Sequence, residues 1–128
     1  MIQIDTRSHG YTALLKEEID LPAVQELDFD LRNELAGLED SEFVLVLDAR
    51  KFHHFTADGQ ALFEELLEFC FESGLARISV LAVSTAHAGL FCEMMLRADL
   101  MDIYQYLDLS YEEDWRTELE TFLAEPFD

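Results

Sequence analysis

The sequence predicts an α/β fold: one domain in which a mixed, mainly parallel sheet of about five strands packs against four helices, in the order β-β-α-β-α-β-α-β-α. Three observations carry that prediction. FVLVLDA (43–49) and RISVLAV (77–83) are near-continuous apolar runs, the pattern of strands buried on both faces. Segments with apolar residues at helical spacing alternate with these runs, and the crossovers they supply make neighbouring strands parallel. The chain opens with two short strand patterns around a turn, so a hairpin adds an antiparallel neighbour.

IQIDTR (2–7) alternates apolar and polar residues and reads as the first strand. Ser8, His9 and Gly10 form the turn, and YTALLKE (11–17) the second strand. Asp20 is placed to cap the first helix, with Pro22 in the first turn, where an N–H has no intrahelical partner to lose. Val24, Leu27, Leu31, Leu35 and Leu38 then share one helical face, opposite an acidic one. Beyond the central strand, Thr56 is placed to cap a second helix. Gly59, Leu62, Phe63, Leu66, Leu67, Cys70 and Phe71 lie on its apolar side, and Glu64, Glu65, Glu68 and Glu72 on the other. Ser73-Gly74 ends it, the glycine suiting a left-handed cap. After the second apolar run, Thr85 is expected to cap a third helix from about Ala86 to Arg97, with Ala88, Phe91, Cys92, Met95 and Leu96 on its apolar face. DIYQYLDL (102–109) reads as a last strand. Ser110 and Glu113 match an S-x-x-E capping box for a final helix that holds Trp115, Leu119, Phe122 and Leu123 and ends at Glu125-Pro126.

Half of the 128 residues are apolar and 12% are aromatic, enough for a core without disulfides or metals. No apolar run reaches the roughly 18 residues of a membrane span. MIQIDTRSHG lacks the basic-then-apolar order of a signal peptide, so a soluble cytoplasmic protein is expected. Charge is the outlier: 28 acidic against 8 basic residues give a formal net charge of −20. Such a surface repels nucleic-acid phosphate and anionic membranes, and suits a basic partner or simple solubility. Cys70 and Cys92 both fall in apolar helical patterns and read as reduced, buried thiols.

The stretch FHHFTADGQALFEELLEFC (52–70) concentrates the residues that bear on function. Threonine at the helix start satisfies one open amide, a contribution of about 1 kcal/mol. Aspartate in the first turn adds favourable charge. His53 and His54 are adjacent and His87 is remote in sequence; no H-x-x-x-H or C-x-x-C spacing supports a metal site, so no metal or other cofactor is expected. G-x-S-x-G, Walker and G-x-G-x-x-G motifs are absent, no catalytic residue is assigned, and the chain reads as a non-enzyme. In the third helix Met94, beside Glu93, is the methionine expected to be exposed.

The order and spacing of these parts resemble the STAS domain, named for sulphate transporters and anti-sigma factor antagonists, and its divergent SpoIIAA-like members. The resemblance covers almost the whole chain. It is carried by TALLKEEIDLPAVQELDFDLRNEL, FVLVLDARKF, the loop and helix around Gly59, GLARISVLAV and AHAGLFCEMMLRADLMDIYQYL. The family's local signature is an aspartate, two serines and a glycine before the second long helix. With the glycine at Gly59, Thr56 stands at the aspartate, and Ala57 and Asp58 at the serines. The first serine is the phosphorylated switch of the antagonist branch, and Ala57 has no hydroxyl. Two substitutes stay open: Thr56 as phosphoacceptor in a register shifted by one, or Asp58 as a permanent charge.

The resemblance implies a non-enzymatic regulatory protein that binds an anti-sigma or kinase-type regulator. It implies a contact surface of His53, His54, Thr56, Ala57, Asp58, Gly59, His87, Gly89 and Glu93. Its SpoIIAA-like branch supplies an alternative, a carrier or sensor of a small apolar ligand held between helix and sheet. A third reading is a structural subunit that forms a homodimer.

Overall fold

In the computed structural model, which describes residues 4–7, 10–37, 42–110 and 114–124, the chain runs through β1 (Ile4–Arg7), β2 (Gly10–Leu14), β3 (Glu18–Ile19), α1 (Leu21–Ala36), β4 (Phe43–Asp48), β5 (His54–Phe55), α2 (Ala57–Glu72), β6 (Leu75–Ala82), α3 (Ala88–Arg97), a 3-10 turn (Met101–Ile103), β7 (Tyr104–Asp108) and α4 (Trp115–Ala124). The main sheet has five strands in the order β1-β2-β4-β6-β7. Only β1 is antiparallel to its neighbour; the other three pairings are parallel. This is the mixed, mainly parallel sheet with four helices that the alternating pattern predicts. Of the expected turn and caps, Ser8, His9, Leu38, Glu113 and Glu125-Pro126 lie outside the described residues.

Each crossover links adjacent strands and moves the same way across the sheet. Crossovers of one hand moving in one direction put their helices on one face. That face carries Val24, Leu27, Leu31 and Leu35 of α1, Phe63, Leu66, Leu67 and Cys70 of α2, and Phe91, Met94 and Met95 of α3. They pack on Tyr11, Ala13, Phe43, Leu45, Leu47, Ile78 and Val80 of the strands. Full burial of a side chain such as Phe43, Phe63 or Phe91 contributes about 1.5–3 kcal/mol. The helix α4 follows the last strand and is not a crossover. It lies on the other face, where Leu119 meets Val46, Leu81 and Leu107.

A register shift between β4 and β6 sets the facing of the second strand. Phe43 pairs with Leu75 and Val44 with Arg77, so Ala76 is an extra residue. Leu75 therefore shares the larger core with Ile78 and Val80, while Arg77, Ser79 and Leu81 face α4. The Arg77 guanidinium lies 5.4 Å from the Phe122 ring centre. Arg50 makes a two-bond ion pair with Asp48 (2.9 and 2.7 Å) and lies 5.9 Å from the Trp115 ring, tying the end of β4 to the start of α4.

Both long helices start as the sequence predicts. The Asp20 side chain accepts the Ala23 amide at 3.0 Å, and the Thr56 hydroxyl accepts the Gly59 amide at 3.2 Å. Gly74 has φ 110°, the left-handed conformation expected of it. The third helix differs from expectation. Thr85 does not cap it with its side chain; its carbonyl accepts the Ala88 amide, and the helix begins two residues later than Ala86. Its orientation is also rotated from the expected one. Met94 is fully buried, whereas Leu96 is 66% exposed and Cys92 is exposed. The reason is that Phe91, Met94, Met95 and Ala98 form a wider inward face once the helix docks on α2 and the sheet, and Leu96 is left outside it. Phe71 in α2 is likewise exposed, being one residue past the Leu67–Cys70 line. The Ser110 hydroxyl donates to Asp108 at 2.6 Å, and its expected capping-box partner Glu113 lies outside the described residues.

Candidate functional site

The candidate site sits where loops leave the carboxyl ends of the parallel strands, the position at which open α/β sheets present their functional loops. From Ala49 the chain turns tightly, with the Phe52 amide donating to the Ala49 carbonyl at 3.1 Å. It then runs alongside the segment that precedes α1. The His53 and His54 amides both donate to the Glu17 carbonyl, at 2.8 and 3.1 Å, and the Thr56 amide to the Ile19 carbonyl at 3.0 Å. Between them β3 and β5 pair in parallel, Glu18 with His54 and Ile19 with Phe55. The starts of α1 and α2 are therefore held side by side.

Gly59 permits that closeness. A Cβ there would meet the Ile19 carbonyl oxygen, the Asp20 carbonyl carbon and the Thr56 hydroxyl, all at under 3 Å. The Thr56 hydroxyl accepts the Gly59 amide and donates to Asp58 Oδ1 at 2.7 Å. Asp58 Oδ1 also accepts the Gly59 amide, at 2.9 Å. One carboxylate oxygen thus holds both the hydroxyl and an open amide of the helix start. Hydrogen bonding from Thr56, with help from the Gly59 amide, lowers the Asp58 pKa below the usual aspartate value. Ala57 and Asp58 are exposed and Thr56 is half-buried.

Beneath the loop lies an aromatic cluster. Phe52 and Phe55 have ring centres 4.8 Å apart, and Phe52 lies 5.4 Å from Phe91 and Phe55 5.0 Å from Phe63. His87, at the head of α3, meets Phe52 edge-to-face at 4.9 Å. The loop before α3 is anchored by the Tyr106 hydroxyl, which donates to the Ser84 carbonyl at 2.6 Å. His87 is thereby brought to the same loop as His53 and His54, although it is distant in sequence.

The sequence-expected residues divide into three groups. Thr56, Asp58 and Gly59 form one hydrogen-bonded unit, and Ala57 stands between them on the exposed first turn. His53 and His54 are exposed on the adjoining loop, and His54 Nε2 lies 3.3 Å from Glu18. Gly89 and Glu93 lie further along α3, and Glu93 faces Arg97 at 3.9 Å. Arg97 also binds Glu64 of α2, bridging the two helices. Sequence reasoning missed Phe52, the platform for His87, and Glu18, the neighbour of His54. The phenylalanines that bracket the histidine pair in F-H-H-F were the available signal for the first. Among the described residues, no three His, Cys, Asp or Glu side chains converge as a metal site requires. No helix among them is long and apolar enough to cross a membrane.

Two solved structures share this architecture. One is the anti-sigma factor antagonist SpoIIAA in its unphosphorylated form, with 12% identity and a TM-score of 0.60 over 94% of this chain and 98% of its own. The other is the Bacillus cell fate determinant SpoIIAA in the phosphorylated form, with 12% identity and a TM-score of 0.61 over 94% of this chain and 99% of its own. The fold is accordingly STAS-like, of the SpoIIAA type. No protein-family model matches the chain, and no curated protein matches it in sequence.

Proposed function

We propose that this chain is a non-enzymatic regulatory domain that binds another protein, an anti-sigma or kinase-type regulator. The contact surface is the loop and helix start from His53 to Gly59, with His87, Gly89 and Glu93 on the neighbouring element. The likeness in fold to an anti-sigma factor antagonist supports the class. The observation that carries the reading is the Thr56–Asp58–Gly59 unit. A carboxylate is resident at the exposed start of α2, where the helix dipole and an open amide stabilise negative charge. Ala57 offers no hydroxyl, and the Thr56 hydroxyl already donates to Asp58 and accepts from Gly59. On this reading the resident Asp58 carboxylate supplies the negative charge of this surface.

The test is a pull-down from source cells at low and high salt, followed by calorimetric titration of each captured protein with the native chain, Thr56→Ala and Asp58→Lys. Support would be one partner whose affinity falls with Asp58→Lys and weakens with salt. A partner bound equally well by Asp58→Lys would remove the loop from the interface. For the apolar-carrier alternative, the groove between β7 and α4 is lined by Gln105, Thr117, Glu118, Thr121 and Phe122, a largely polar set. Native mass spectrometry of freshly purified protein decides that alternative by showing or lacking a co-purified apolar molecule.

A further inference from the structure

One helix, α4, covers the second face of the sheet, and it is attached along a narrow line. Helices α1, α2 and α3 each lead from one strand into the next, so both of their ends are tied to the sheet. Among the described residues α4 leads into no further strand. Four residues of α1, five of α2 and three of α3 are buried, but in α4 Leu119 alone is. Trp115 and Leu123, one turn to either side of Leu119, are only partly buried against the same cluster. The helix therefore meets the sheet along the single i, i+4 line of 115, 119 and 123.

The surface beneath α4 is only partly apolar. Val46, Leu81 and Leu107 receive Leu119, but Arg77 and Ser79 stand on the same side of β6. Ser79 is fully buried, and its hydroxyl donates to Oε1 of Gln105, its register partner on β7, at 3.4 Å. Polar groups regain water when a face is uncovered, so baring this face costs less per unit area than baring the larger core. Nor does α4 fill the side toward β7, where a groove of about 340 Å³ is lined by Gln105, Thr117, Glu118, Thr121 and Phe122. Sparse apolar burial places an element at the low-stability end of a structure.

At its start α4 meets a group that is fixed without it. Arg50 is bound to the buried Asp48 at 2.9 and 2.7 Å, and Trp115 stands 5.9 Å from the guanidinium. The guanidinium therefore keeps its place whether or not the indole covers it. Arg50 also lies in the turn from Ala49 to Phe52 that opens the candidate loop. We propose that α4 is a flap, which leaves and rejoins the sheet as one unit while the five main strands and α1, α2 and α3 stay folded. Leu119 is its anchor, and Trp115 on Arg50 is its latch. Opening bares Val46, Leu81 and Leu107 and uncovers Arg50 at the edge of the loop. The proposal does not depend on the partner-binding reading.

Trp115 is the one tryptophan of the chain, so its fluorescence reports α4 while far-UV circular dichroism reports the whole fold. In a urea titration of the full chain the fluorescence midpoint is expected to precede the dichroism midpoint by about 0.5 M or more. In water, hydrogen exchange read by mass spectrometry should be about tenfold or more faster in α4 than in β4 and β6, with Leu119 exchanging at the rate of the helix ends. Leu119→Ala should lower the fluorescence midpoint and leave the dichroism midpoint nearly in place. Trp115→Leu, which keeps apolar bulk but not the π face, should speed α4 exchange by about threefold and leave β6 unchanged. Coincident midpoints would overturn the proposal, as would a Leu119→Ala variant that moves both midpoints equally. So would exchange graded inward from the helix ends with Leu119 as slow as β6, which is fraying and not opening of a unit. An α4 exchange rate indifferent to Trp115→Leu would strike out the latch.

Discussion

A Cβ atom on Gly59 would stand 2.7 Å from the carbonyl oxygen of Ile19. The start of α2 is thus in backbone contact with the segment that starts α1, and the candidate site is built on that contact. Gly59→Ala forces backbone to move, because two of the three atoms its Cβ would meet, at Ile19 and Asp20, are backbone. It is expected to lower stability by about 1–3 kcal/mol, read as a lower urea midpoint. Gly89→Ala is the matched control. It meets nothing within 4 Å and should raise stability by up to about 1 kcal/mol through helix propensity. Equal effects at the two glycines would contradict this account.

Thr56→Ala should cost about 1 kcal/mol, the usual value of a hydroxyl cap, and Thr56→Ser should recover most of it. The same change should move the Asp58 titration. The hydroxyl is the largest cause of the lowered Asp58 pKa, so the midpoint should rise toward the ordinary value of about 3.9 when it is removed. In the native chain the stabilisation from the Asp58 carboxylate is fully present above that ordinary value. It is lost as pH falls through the lower folded-state value. Carboxyl carbon chemical shifts across an acid titration measure both effects. An Asp58 midpoint indifferent to Thr56→Ala would exclude the hydroxyl as its cause.

The two thiols should separate cleanly. Burial, with a smaller contribution from Asp28, pushes the Cys70 thiol up to about 12, while Cys92 is exposed. At pH 8 iodoacetamide should add one label, at Cys92, and the second only in denaturant. Two labels added at similar rates to the folded protein would contradict the burial of Cys70.

Asp99 ends α3 with φ 61°, the one non-glycine residue with positive φ among those described. The amides around it complete the cap, with Leu100 donating to Met95 at 2.8 Å and Ala98 to Met94 at 3.0 Å. Glycine adopts this conformation without the steric penalty. Replacement also removes a negative charge from a helix C-terminus. Asp99→Gly is therefore expected to raise stability by about 0.5–1 kcal/mol, seen as an increase in Tm. A decrease would mean that the carboxylate makes a contact worth more than the strain it tolerates.

Local chemistry was legible where a single residue type decides the outcome. Asp20 and Thr56 act as caps, and Gly74 takes the left-handed turn, because each depends only on the amides or angles a few residues away. The apolar runs at 43–49 and 77–83 became central strands for the same reason: unbroken apolar patterns have to be covered on both faces. The two-residue strands β3 and β5 left no trace in the pattern. Neither is long enough to show a period, and each is a strand only because the other lies beside it.

The order of the five main strands and four helices, the parallel sheet, the charge of −20 and the capped start of α2 were all determined by the sequence alone, since each follows from composition or from residues near in the chain. Tertiary structure decided the rest. It buried Met94 and exposed Leu96 and Cys92, because the angle at which α3 docks chooses among positions that periodicity leaves almost equal. It placed α4 alone on the opposite face, a choice open to any helix that does not return to another strand. It also seated His87 on Phe52 and joined the two helix starts through Gly59, contacts between residues that only the folded chain brings within reach.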